Sequence, residues 1–252
     1  MRVTMGSEST PGRANDDYAV SGLDWVMVFD GATALRPDEN GCIHDVPWVV
    51  HHLAGQLARR LSISSTMPLT DALSESIFFT RSAHETTCDL SNPDSPSSTV
   101  TILRRNQDKL DYLVLADSPL LLRCGSNVQA ITDDRMANLT DYSYEAVIAV
   151  QNKPGGYYVA STMPEAAYEA VYGSIDASLV DAAALLTDGA SRLVDLFGQM
   201  SWEQLFKVLS KEGPSALIAQ TREIETKGVT IDDGRTRKRH DDATAVLVEF
   251  NR

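Results

Sequence analysis

The sequence predicts an α+β fold in which mainly antiparallel sheets are covered on the outside by helices. Two observations carry this prediction. Apolar segments of strand length follow one another in runs, and segments with helical spacing come in pairs. A parallel doubly wound sheet would instead alternate strand and helix regularly along the chain. The 252 residues suffice for one large domain or two small ones, and the sequence contains no repeats and no long linker.

The first part of the chain is predicted to form strands and then two helices. Arg2–Glu8 alternates weakly, as an edge strand does, and Trp25–Phe29 is an unbroken apolar run typical of a buried strand. Residues 47–61 place valine and leucine at helical spacing on one face, which predicts a helix. Residues 69–86 are predicted to form a second helix, with Thr70-Asp71 as its N-terminal cap.

The middle of the chain is predicted to be rich in strands. Residues 90–98 form a turn-rich loop. Four strand candidates follow it: residues 99–104, 112–116, 120–123 and 128–132. Asn106-Gln107-Asp108 is the predicted turn between the first two. Residues 135–152 fit either short helices or a mobile flap. Beyond them, residues 156–161 are strand-like and residues 164–172 fit a short helix.

The last part of the chain is predicted to be mostly helical and to end in a strand. An apolar stretch at residues 178–186 leads into Thr187-Asp188-Gly189. Three helices are predicted next: residues 190–199, 201–210 and 214–225. Ser201 with Gln204 matches a capping box, and Pro214 suits a first helical position. Residues 244–250 are the closing strand.

Charge and composition limit the partners and the compartment. The chain has 22 basic and 35 acidic residues, a net charge of −13, which argues against nucleic acid and anionic membranes as partners. No apolar run approaches the roughly 20 residues that a membrane helix needs. The N-terminus lacks the apolar region of a signal peptide, and the three cysteines are widely spaced. We therefore expect a reduced, cytoplasmic protein.

Four aspartates at the ends of apolar runs are the main functional signal: Asp30, Asp117, Asp188 and Asp241. Strand interiors exclude carboxylates unless something offsets their desolvation. Carboxylates at strand ends can converge on one edge of a folded sheet, and hard divalent cations are the usual reason for such a cluster. With Asn15-Asp16-Asp17 upstream, the set predicts an all-oxygen metal site that performs hydrolysis.

The residues next to these aspartates favour the same chemistry. Glycine in Asp30-Gly31 and Asp188-Gly189 allows a backbone carbonyl to approach a cation. Carboxylates, a carbonyl and waters form the oxygen shell that Mg²⁺ and Mn²⁺ prefer. A carboxylate between two such ions would hold them about 3.5–4 Å apart and lower the pKa of a shared water toward neutrality. Arg13, just upstream, is placed in sequence to bind phosphate as a planar donor.

The cysteines and histidines are predicted to have no metal-binding role. Cys42 and His44 are two possible ligands, but Cys88 is not near them in sequence, so no group has zinc-ligand spacing. Cys42, Cys88 and Cys124 are predicted to be buried thiols. His44 is interpreted as a helix-start histidine with a local hydrogen bond. The basic run at residues 235–239 is interpreted as a solvated loop, with a docking site for an acidic partner as the alternative.

The order of the motifs resembles the metal-dependent protein phosphatases, also called the protein phosphatase 2C family. The motifs in chain order are Arg13, Asn15-Asp16-Asp17, Asp30-Gly31, Ser98-Thr99-Val100, Ala116-Asp117-Ser118, Thr187-Asp188-Gly189 and Asp241-Asp242-Ala243-Thr244. The match covers nearly the whole chain and is similar to compact bacterial members. The resemblance implies a single domain over residues 1–252. Its fold is a four-layer α/β/β/α sandwich of two antiparallel sheets flanked by helices.

The resemblance also implies a binuclear centre of Mn²⁺ or Mg²⁺. Asp30 would bridge the two ions, and the Gly31 carbonyl would bind one of them. Asp188 and Asp241 would complete the shell of the other ion.

The remaining motif residues are given supporting roles by the same resemblance. Asp16 and Asp17 match an acidic pair that holds bound waters or one ion directly. Asp117, with Asp188, matches the position that recruits a weaker third ion. Arg13 would hold the phosphate of the substrate. Arg13, Asp17 and Asp30 are thus the expected catalytic residues.

The implied activity is hydrolysis of phosphoserine and phosphothreonine in proteins. A hydroxide that bridges the two ions would attack phosphorus in line, without a covalent phosphoenzyme. The implied partners are phosphorylated proteins and a cognate serine/threonine kinase, and a monomer is expected. Family members usually have glycine or histidine after the Asp-Gly pair, where this chain has Ala32-Thr33-Ala34. The leaving-group acid would then be His44 or a metal-bound water.

Two alternatives remain at this point. One is a phosphatase of a small phosphorylated metabolite. The other is an inactive pseudophosphatase that binds phosphoproteins as a regulator.

Overall fold

The structure is a computed structural model that describes residues 1–32, 36, 39–228 and 238–250. Its strands, in chain order, are β1 (Arg2–Glu8), β2 (Tyr18–Ser21), β3 (Trp25–Phe29), β4 (Gly31–Ala32), β5 (Ser97–Ser98), β6 (Val100–Asn106), β7 (Lys109–Leu115), β8 (Leu120–Cys124), β9 (Asn127–Ile131), β10 (Val171–Asp176), β11 (Ala182–Leu186) and β12 (Ala243–Glu249). Its α-helices are α1 (Val46–Ile63), α2 (Leu69–Ser82), α3 (Tyr144–Val150), α4 (Asp188–Asp195), α5 (Trp202–Glu212) and α6 (Pro214–Lys227).

The strands build two five-stranded sheets in which all neighbours run antiparallel. One sheet has the order β1-β12-β11-β8-β9 and the other has the order β10-β7-β6-β3-β2. The short strands β4 and β5 pair separately, with Gly31 opposite Ser98. The topology explains why successive hydrophobic runs in the sequence are joined by short turns, as antiparallel neighbours allow.

Three hydrophobic clusters separate four layers. Val26 and Val28 of β3 pack with Leu185 of β11 and Val246 of β12 in the space between the two sheets. Met27 and the other alternate side chains of β3 pack instead against α1 and α2. The outer face of the β1-β12-β11-β8-β9 sheet is covered by α4, α5 and α6. The predicted four-layer sandwich is therefore confirmed, and β3 is apolar throughout because both of its faces are buried.

Most predicted elements are present, and the differences have local causes. The capping box of α5 is confirmed, since Ser201 and Gln204 exchange side-chain and backbone hydrogen bonds. The predicted cap of α2 is wrong because Pro68 is the N-cap residue and makes no side-chain cap bond. That helix also ends at Ser82, before a turn. Within residues 135–152 the structure has the short helix α3, capped by the Ser143 side chain.

Two further predictions in the middle of the chain are corrected. Residues 156–161 do not form a regular strand, because they make isolated bridges at Tyr157 and Ala160 instead of a ladder. The predicted helix over 164–172 is a 3-10 helix at Pro164–Glu169, and β10 follows it unpredicted. The residues of β10 lack a buried face because this strand lies at the edge of its sheet. Thr33 and Ala34, which stand where family members usually have glycine or histidine, lie outside the described residues. Residues 235–237 of the basic run also lie outside them.

None of the helices in the described part of the chain combines the length and the apolar composition needed to cross a membrane.

The turn between β7 and β8 holds an alanine in a left-handed conformation. Ala116 has φ of 67°, and its N–H donates to Asp133 Oδ2 at 3.2 Å. This conformation costs a non-glycine residue roughly 1–2 kcal/mol. Glycine recovers that strain but loses about 0.4–1 kcal/mol through the freer unfolded chain. We therefore expect Ala116→Gly to raise the free energy of unfolding by about 0.5–1 kcal/mol, measured by urea denaturation.

Ala130 in β9 provides the matched control for that substitution. It lies in a regular strand, so Ala130→Gly is expected to lower the stability by about 0.5–1 kcal/mol. A loss of stability in Ala116→Gly equal to that in the control would contradict the strain argument.

Candidate metal centre

The strand ends bring the predicted aspartates to one edge of the sandwich. Asp30 directly follows β3, Asp188 is the first residue of α4 after β11, and Asp241 lies just before β12. The N–H of Asp188 donates to Asp30 Oδ2 at 3.2 Å, which joins the two sheets at this point. The start of α4 thus faces the cluster, and a helix N-terminus favours nearby negative charge.

Asp30 occupies the centre of the cluster. Burial, together with the negative charges of Asp188, Asp17, Asp117 and Asp241, raises its pKa well above the usual value. Four separate carboxylates therefore act on Asp30, although they come from distant parts of the sequence. A multivalent cation is one way to neutralise this concentration of negative charge.

Asp17 is the most deeply buried member and carries an unpartnered oxygen. Its Oδ2 accepts a hydrogen bond of 2.8 Å from Thr187 Oγ1, whose own oxygen accepts from the N–H of Thr244 at 2.9 Å. Its Oδ1 is buried and has no hydrogen-bond partner among the described residues. Burial raises the pKa of Asp17 to about 8, although the two threonines oppose the shift. A buried acceptor without a partner costs about 1–3 kcal/mol, so this oxygen is suited to a ligand.

Asp241 and Asp188 form the side of the cluster that faces basic residues. Arg192 Nη2 donates to Asp241 Oδ2 at 2.9 Å, and Lys238 Nζ lies 3.3 Å from Asp241 Oδ1. Burial and the charge of Asp241 raise the pKa of Asp188, while Arg192 and Lys238 lower it. Arg192 and Lys238 hold Asp241 in place through these contacts.

Asp117 is exposed, and the negative charge of Asp188 acts on it. The surrounding protein limits its hydration and, together with the charge of Asp188, raises its pKa to about 7. Asp133 and Asp195 add smaller contributions in the same direction. These acidic groups form a second negative region next to the central one.

Asp242 has a structural role that the sequence analysis missed. Its two carboxylate oxygens accept hydrogen bonds of 2.6 Å from the N–H groups of Thr10 and Asp16. These bonds fix the loop that carries Asp16 and Asp17 against the start of β12. The Asp241-Asp242 pair before the last strand was visible in the sequence. The sequence did not indicate which of the two carboxylates would accept backbone hydrogen bonds.

Gly31 allows a close approach of two backbone segments. A Cβ atom at this position would collide with the backbone oxygen of Asp16 and with the side chain of Val46. Any larger residue would therefore push the Asp16-Asp17 loop away from Asp30. The glycine keeps its own carbonyl and the loop within one compact site.

The cluster opens into a cleft of about 290 Å³. Its wall carries both signs of charge, with Asp16, Asp30 and Asp241 on one side and Arg13 and Lys238 among the other lining residues. Arg13 is exposed and follows a turn in which its N–H donates to the carbonyl of Thr10 at 3.1 Å. A small anion in this cleft would meet arginine, lysine and any cation held by the carboxylates.

The family model for protein phosphatase 2C matches residues 7–221 of this chain. This chain belongs to the protein phosphatase 2C family. The resemblance inferred from the motif order is thus confirmed. No curated protein matches the sequence.

Solved structures with the same fold include three proteins, two of which are described as serine/threonine phosphatases. PppA of Pseudomonas aeruginosa, described as a key regulatory component of T6SS, is 19% identical with a TM-score of 0.60, and the match covers 98% of this chain and 96% of PppA. Serine/threonine phosphatase Stp1 of Staphylococcus aureus is 12% identical with a TM-score of 0.67, covering 99% and 94% of the two chains. The catalytic domain of the serine/threonine protein phosphatase PstP, solved with 2 manganese ions, is 17% identical with a TM-score of 0.59, covering 98% and 97%. At these identities the likeness establishes the shared fold alone.

The carboxylate set of this phosphatase-family protein fits divalent cations. The observation that decides the fit is the unpartnered, buried Oδ1 of Asp17, next to carboxylates that raise one another's pKa. The donor set consists of oxygen atoms, as Mn²⁺ and Mg²⁺ require. The close backbone approach at Gly31 keeps this oxygen set compact.

His44 lies apart from the aspartate cleft. Its Nδ1 is 3.4 Å from Cys88 Sγ and 3.7 Å from Cys42 Sγ, and its ring stacks on Trp48 with 3.8 Å between centroids. His44 is also absent from the described residues that line the cleft. These contacts occupy the side chain, so His44 is a poor choice as the leaving-group acid.

The prediction that no zinc-type cluster exists is wrong. Cys42, His44, His84 and Cys88 place their ligand atoms within 4.8 Å of one another. The prediction of buried thiols is also corrected, because all three cysteines are partly exposed and free. His84 was not among the predicted ligands, and Cys88 was excluded because it is distant from Cys42 and His44 along the chain.

The described part of the basic run turns back onto the protein. Lys238 reaches Asp241, as described above, and Arg239 Nη2 donates to the carbonyl of Thr226 at 2.9 Å. These two residues therefore contact the domain surface while remaining exposed to solvent.

Proposed function

We propose that this protein hydrolyses phosphoserine and phosphothreonine esters in proteins and depends on two divalent cations, Mn²⁺ or Mg²⁺. The observation that carries the proposal is the clustering of four aspartates around Asp30, which lines the cleft, with one buried oxygen of Asp17 left unpartnered among the described residues. The four are Asp17, Asp117, Asp188 and Asp241. Membership of the family and the fold of the PstP domain solved with manganese support the choice of metal.

In this proposal each aspartate has a distinct task. Asp30, in the centre, would hold the cations together with the carbonyl of Gly31 and the carboxylates of Asp188 and Asp241. When bound, the cations supply a nucleophilic water at neutral pH and neutralise the charge of the phosphoryl group.

The residues around the centre prepare it for that chemistry. Asp17, fixed by Thr187, orients the bound solvent, and Asp16 lies beside it at the cleft wall. Asp117, together with Asp188, forms the place for a weaker third ion. Arg192 holds Asp241 by a charge-assisted hydrogen bond, which is a common way of orienting a ligand carboxylate.

Arg13 binds the substrate in this proposal. Its guanidinium lines the cleft from an exposed position, so a phosphate on a protein side chain can reach it. A planar guanidinium donates two parallel hydrogen bonds to a phosphate. Because His44 is held elsewhere, the proton for the departing hydroxyl comes from solvent in the cleft.

A turnover assay with a matched variant tests the proposal. The protein should release inorganic phosphate from phosphoseryl and phosphothreonyl peptides in the presence of Mn²⁺, and EDTA should abolish this release. Asp188→Asn should abolish it as well, whereas Asp108→Asn, at an exposed turn, should leave it unchanged. Calorimetric titration with Mn²⁺ reports metal binding independently of turnover. Binding of Mn²⁺ and of phosphopeptide without any release would contradict the proposal and favour a pseudophosphatase.

A further inference from the structure

Four side chains outside the aspartate cleft meet in a second potential metal site. Cys42 and His44 belong to the loop before α1, and His84 and Cys88 belong to the turn after α2. The four ligand atoms lie within 4.8 Å of one another, and His84 is buried. Two cysteines and two histidines are a frequent ligand set of structural zinc.

Three of the six distances among these ligand atoms are close to the edges of a zinc tetrahedron. The sulfurs of Cys42 and Cys88 are 3.3 Å apart, Cys42 Sγ is 3.6 Å from His84 Nδ1, and Cys88 Sγ is 3.4 Å from His44 Nδ1. With Zn–S near 2.3 Å and Zn–N near 2.0–2.1 Å, tetrahedral geometry gives about 3.8 Å between two sulfurs and about 3.5 Å between sulfur and nitrogen. The observed distances deviate from these values by no more than about half an ångström.

The backbone around the cluster is fixed independently of any metal. Gly41 has φ of 73°, and its carbonyl accepts a hydrogen bond of 2.8 Å from the N–H of Asp89, next to Cys88. The N–H of Cys42 donates to Asn40 Oδ1 at 2.9 Å, and the N–H of Cys88 donates to the carbonyl of His84 at 3.1 Å. The two ligand pairs therefore face each other through a defined loop contact, as a preorganised site requires.

Ligand chemistry separates this cluster from the aspartate centre. Thiolate and imidazole select zinc, whereas carboxylate and carbonyl oxygens suit magnesium and manganese. Four protein ligands also leave no open position, which is typical of structural sites as opposed to catalytic ones. One protein can thus hold both kinds of ion without exchange between the sites.

We propose that Cys42, His44, His84 and Cys88 bind one Zn²⁺ ion that joins the loop before α1 to the end of α2. The ion anchors the start of α1, where Val46 packs under Gly31 of the aspartate centre. The proposal does not depend on the phosphatase activity. The Sγ–Sγ distance of 3.3 Å exceeds that of a disulfide, which is about 2.05 Å, and both thiols are free to bind metal.

Metal content of the purified protein gives the first test. The full chain, without an affinity tag and under a non-chelating reductant, is dialysed against metal-free buffer and analysed by plasma mass spectrometry. We expect one zinc per chain in the unchanged protein and in Cys124→Ser, whose cysteine lies outside the cluster. The double variant Cys42→Ser/Cys88→Ser should contain none. Equal zinc in the double variant would overturn the proposal.

Cobalt substitution gives the second test and identifies the ligands. Co²⁺ added to zinc-free protein should produce a tetrahedral visible spectrum and a thiolate-to-metal charge-transfer band. Asp30→Asn should leave both bands unchanged, because the aspartate centre contains no sulfur. Absence of the charge-transfer band in reduced protein with three titratable thiols would overturn the proposal.

A conservative variant keeps the test decisive if the double serine variant does not fold. His44→Cys retains four ligands, so it should still bind one metal ion per chain. Its charge-transfer band should grow by about half, since three thiolates replace two. His52→Gln is the matched control, because His52 stacks on the same Trp48 but is no member of the cluster. A band that grows equally in His52→Gln, or stays constant in His44→Cys, contradicts the assignment.

Discussion

Asp30→Asn is expected to abolish phosphate release while making the metal-free protein more stable. The amide has the shape of the carboxylate, and its oxygen can still accept the hydrogen bond from the N–H of Asp188. It cannot offer the negative charge that two cations need. Bound cations supply several kcal/mol of charge stabilisation, so we expect turnover to fall roughly a thousandfold or more, which corresponds to about 4 kcal/mol.

The gain in stability follows from the repulsion among the carboxylates. Burial and four neighbouring aspartates raise the pKa of Asp30, so its ionised form is unfavourable in the folded protein without metal. Removing that charge should raise the free energy of unfolding by about 1–2 kcal/mol at pH 8 in EDTA. Mn²⁺ should stabilise the unchanged protein and have little effect on Asp30→Asn. Thermal unfolding with and without Mn²⁺ measures both effects.

The same repulsion predicts a pH dependence of the metal-free protein. The pKa is about 8 for Asp17 and about 7 for Asp117 in the folded state, against about 3.9 in an unfolded chain. Between these values the folded state binds more protons, so its stability decreases as pH rises. The stabilisation that these two carboxyl groups give the folded state in their protonated form is complete below about pH 4. It is lost as the pH rises through 7 to 8. Asp30→Asn should lose less stability than the unchanged protein between pH 5 and 8. Comparing the two proteins removes the contribution of the other titrating groups, which both share.

Asp24→Asn is the matched control for both measurements. Asp24 is exposed, lies just before the same strand β3, and its substitution should change neither turnover nor the response to Mn²⁺. If Asp30→Asn were destabilised in EDTA and kept its activity, the carboxylate would be a structural group and the metal centre would lie elsewhere.

The aspartate centre was predictable because its signal repeats along the chain. An apolar run ending in Asp-Gly, as at Trp25–Phe29 before Asp30, combines buried strand and charge in a way that sequence alone displays. The family order of the motifs then added the expected role of each position. Asp242 escaped because hydrogen bonds to Thr10 and Asp16 depend on which backbone segments meet, and no periodicity encodes that.

The Cys/His cluster shows a limit of reading along the chain. Cys42 precedes α1 and Cys88 follows α2. The two cysteines meet because α1 and α2 pack against each other as a hairpin. Single cysteines and histidines have no hydrophobic pattern that would predict such a contact. The edge strand β10 was missed for a related reason, since its exposed residues give no alternation between a buried and a solvated face.

Glu225→Ala is expected to cause the largest loss of stability, about 3–5 kcal/mol. The Glu225 side chain is fully buried and meets three groups, with Arg192 Nη1 at 2.7 Å, Arg222 Nη1 at 2.8 Å and His240 Nδ1 at 2.8 Å. Arg192 is itself almost buried, with 7% of its side chain exposed. Removing the carboxylate leaves that arginine as a buried charge without its main partner, and this costs more than the original pair contributes.

The effect should extend to the metal centre through Arg192. This arginine joins Glu225 to Asp241, so without Glu225 its whole charge is directed at the proposed ligand carboxylate. The carboxylate then has less negative charge to offer a cation, so the binding of Mn²⁺ should weaken. Glu225→Gln should retain more stability than Glu225→Ala and still show weaker Mn²⁺ binding by calorimetry.

A double-substitution cycle separates the pair from the rest of the core. Arg192→Met combined with Glu225→Met replaces both charges by apolar groups, and we expect it to be more stable than either single variant because neither Arg192 nor Glu225 is left buried without the other. Glu223→Ala, at an exposed position of the same helix α6, should change stability by less than about 0.5 kcal/mol. Additive losses in the cycle would mean that Arg192 and Glu225 act independently, and the proposed path from α6 to Asp241 would not exist.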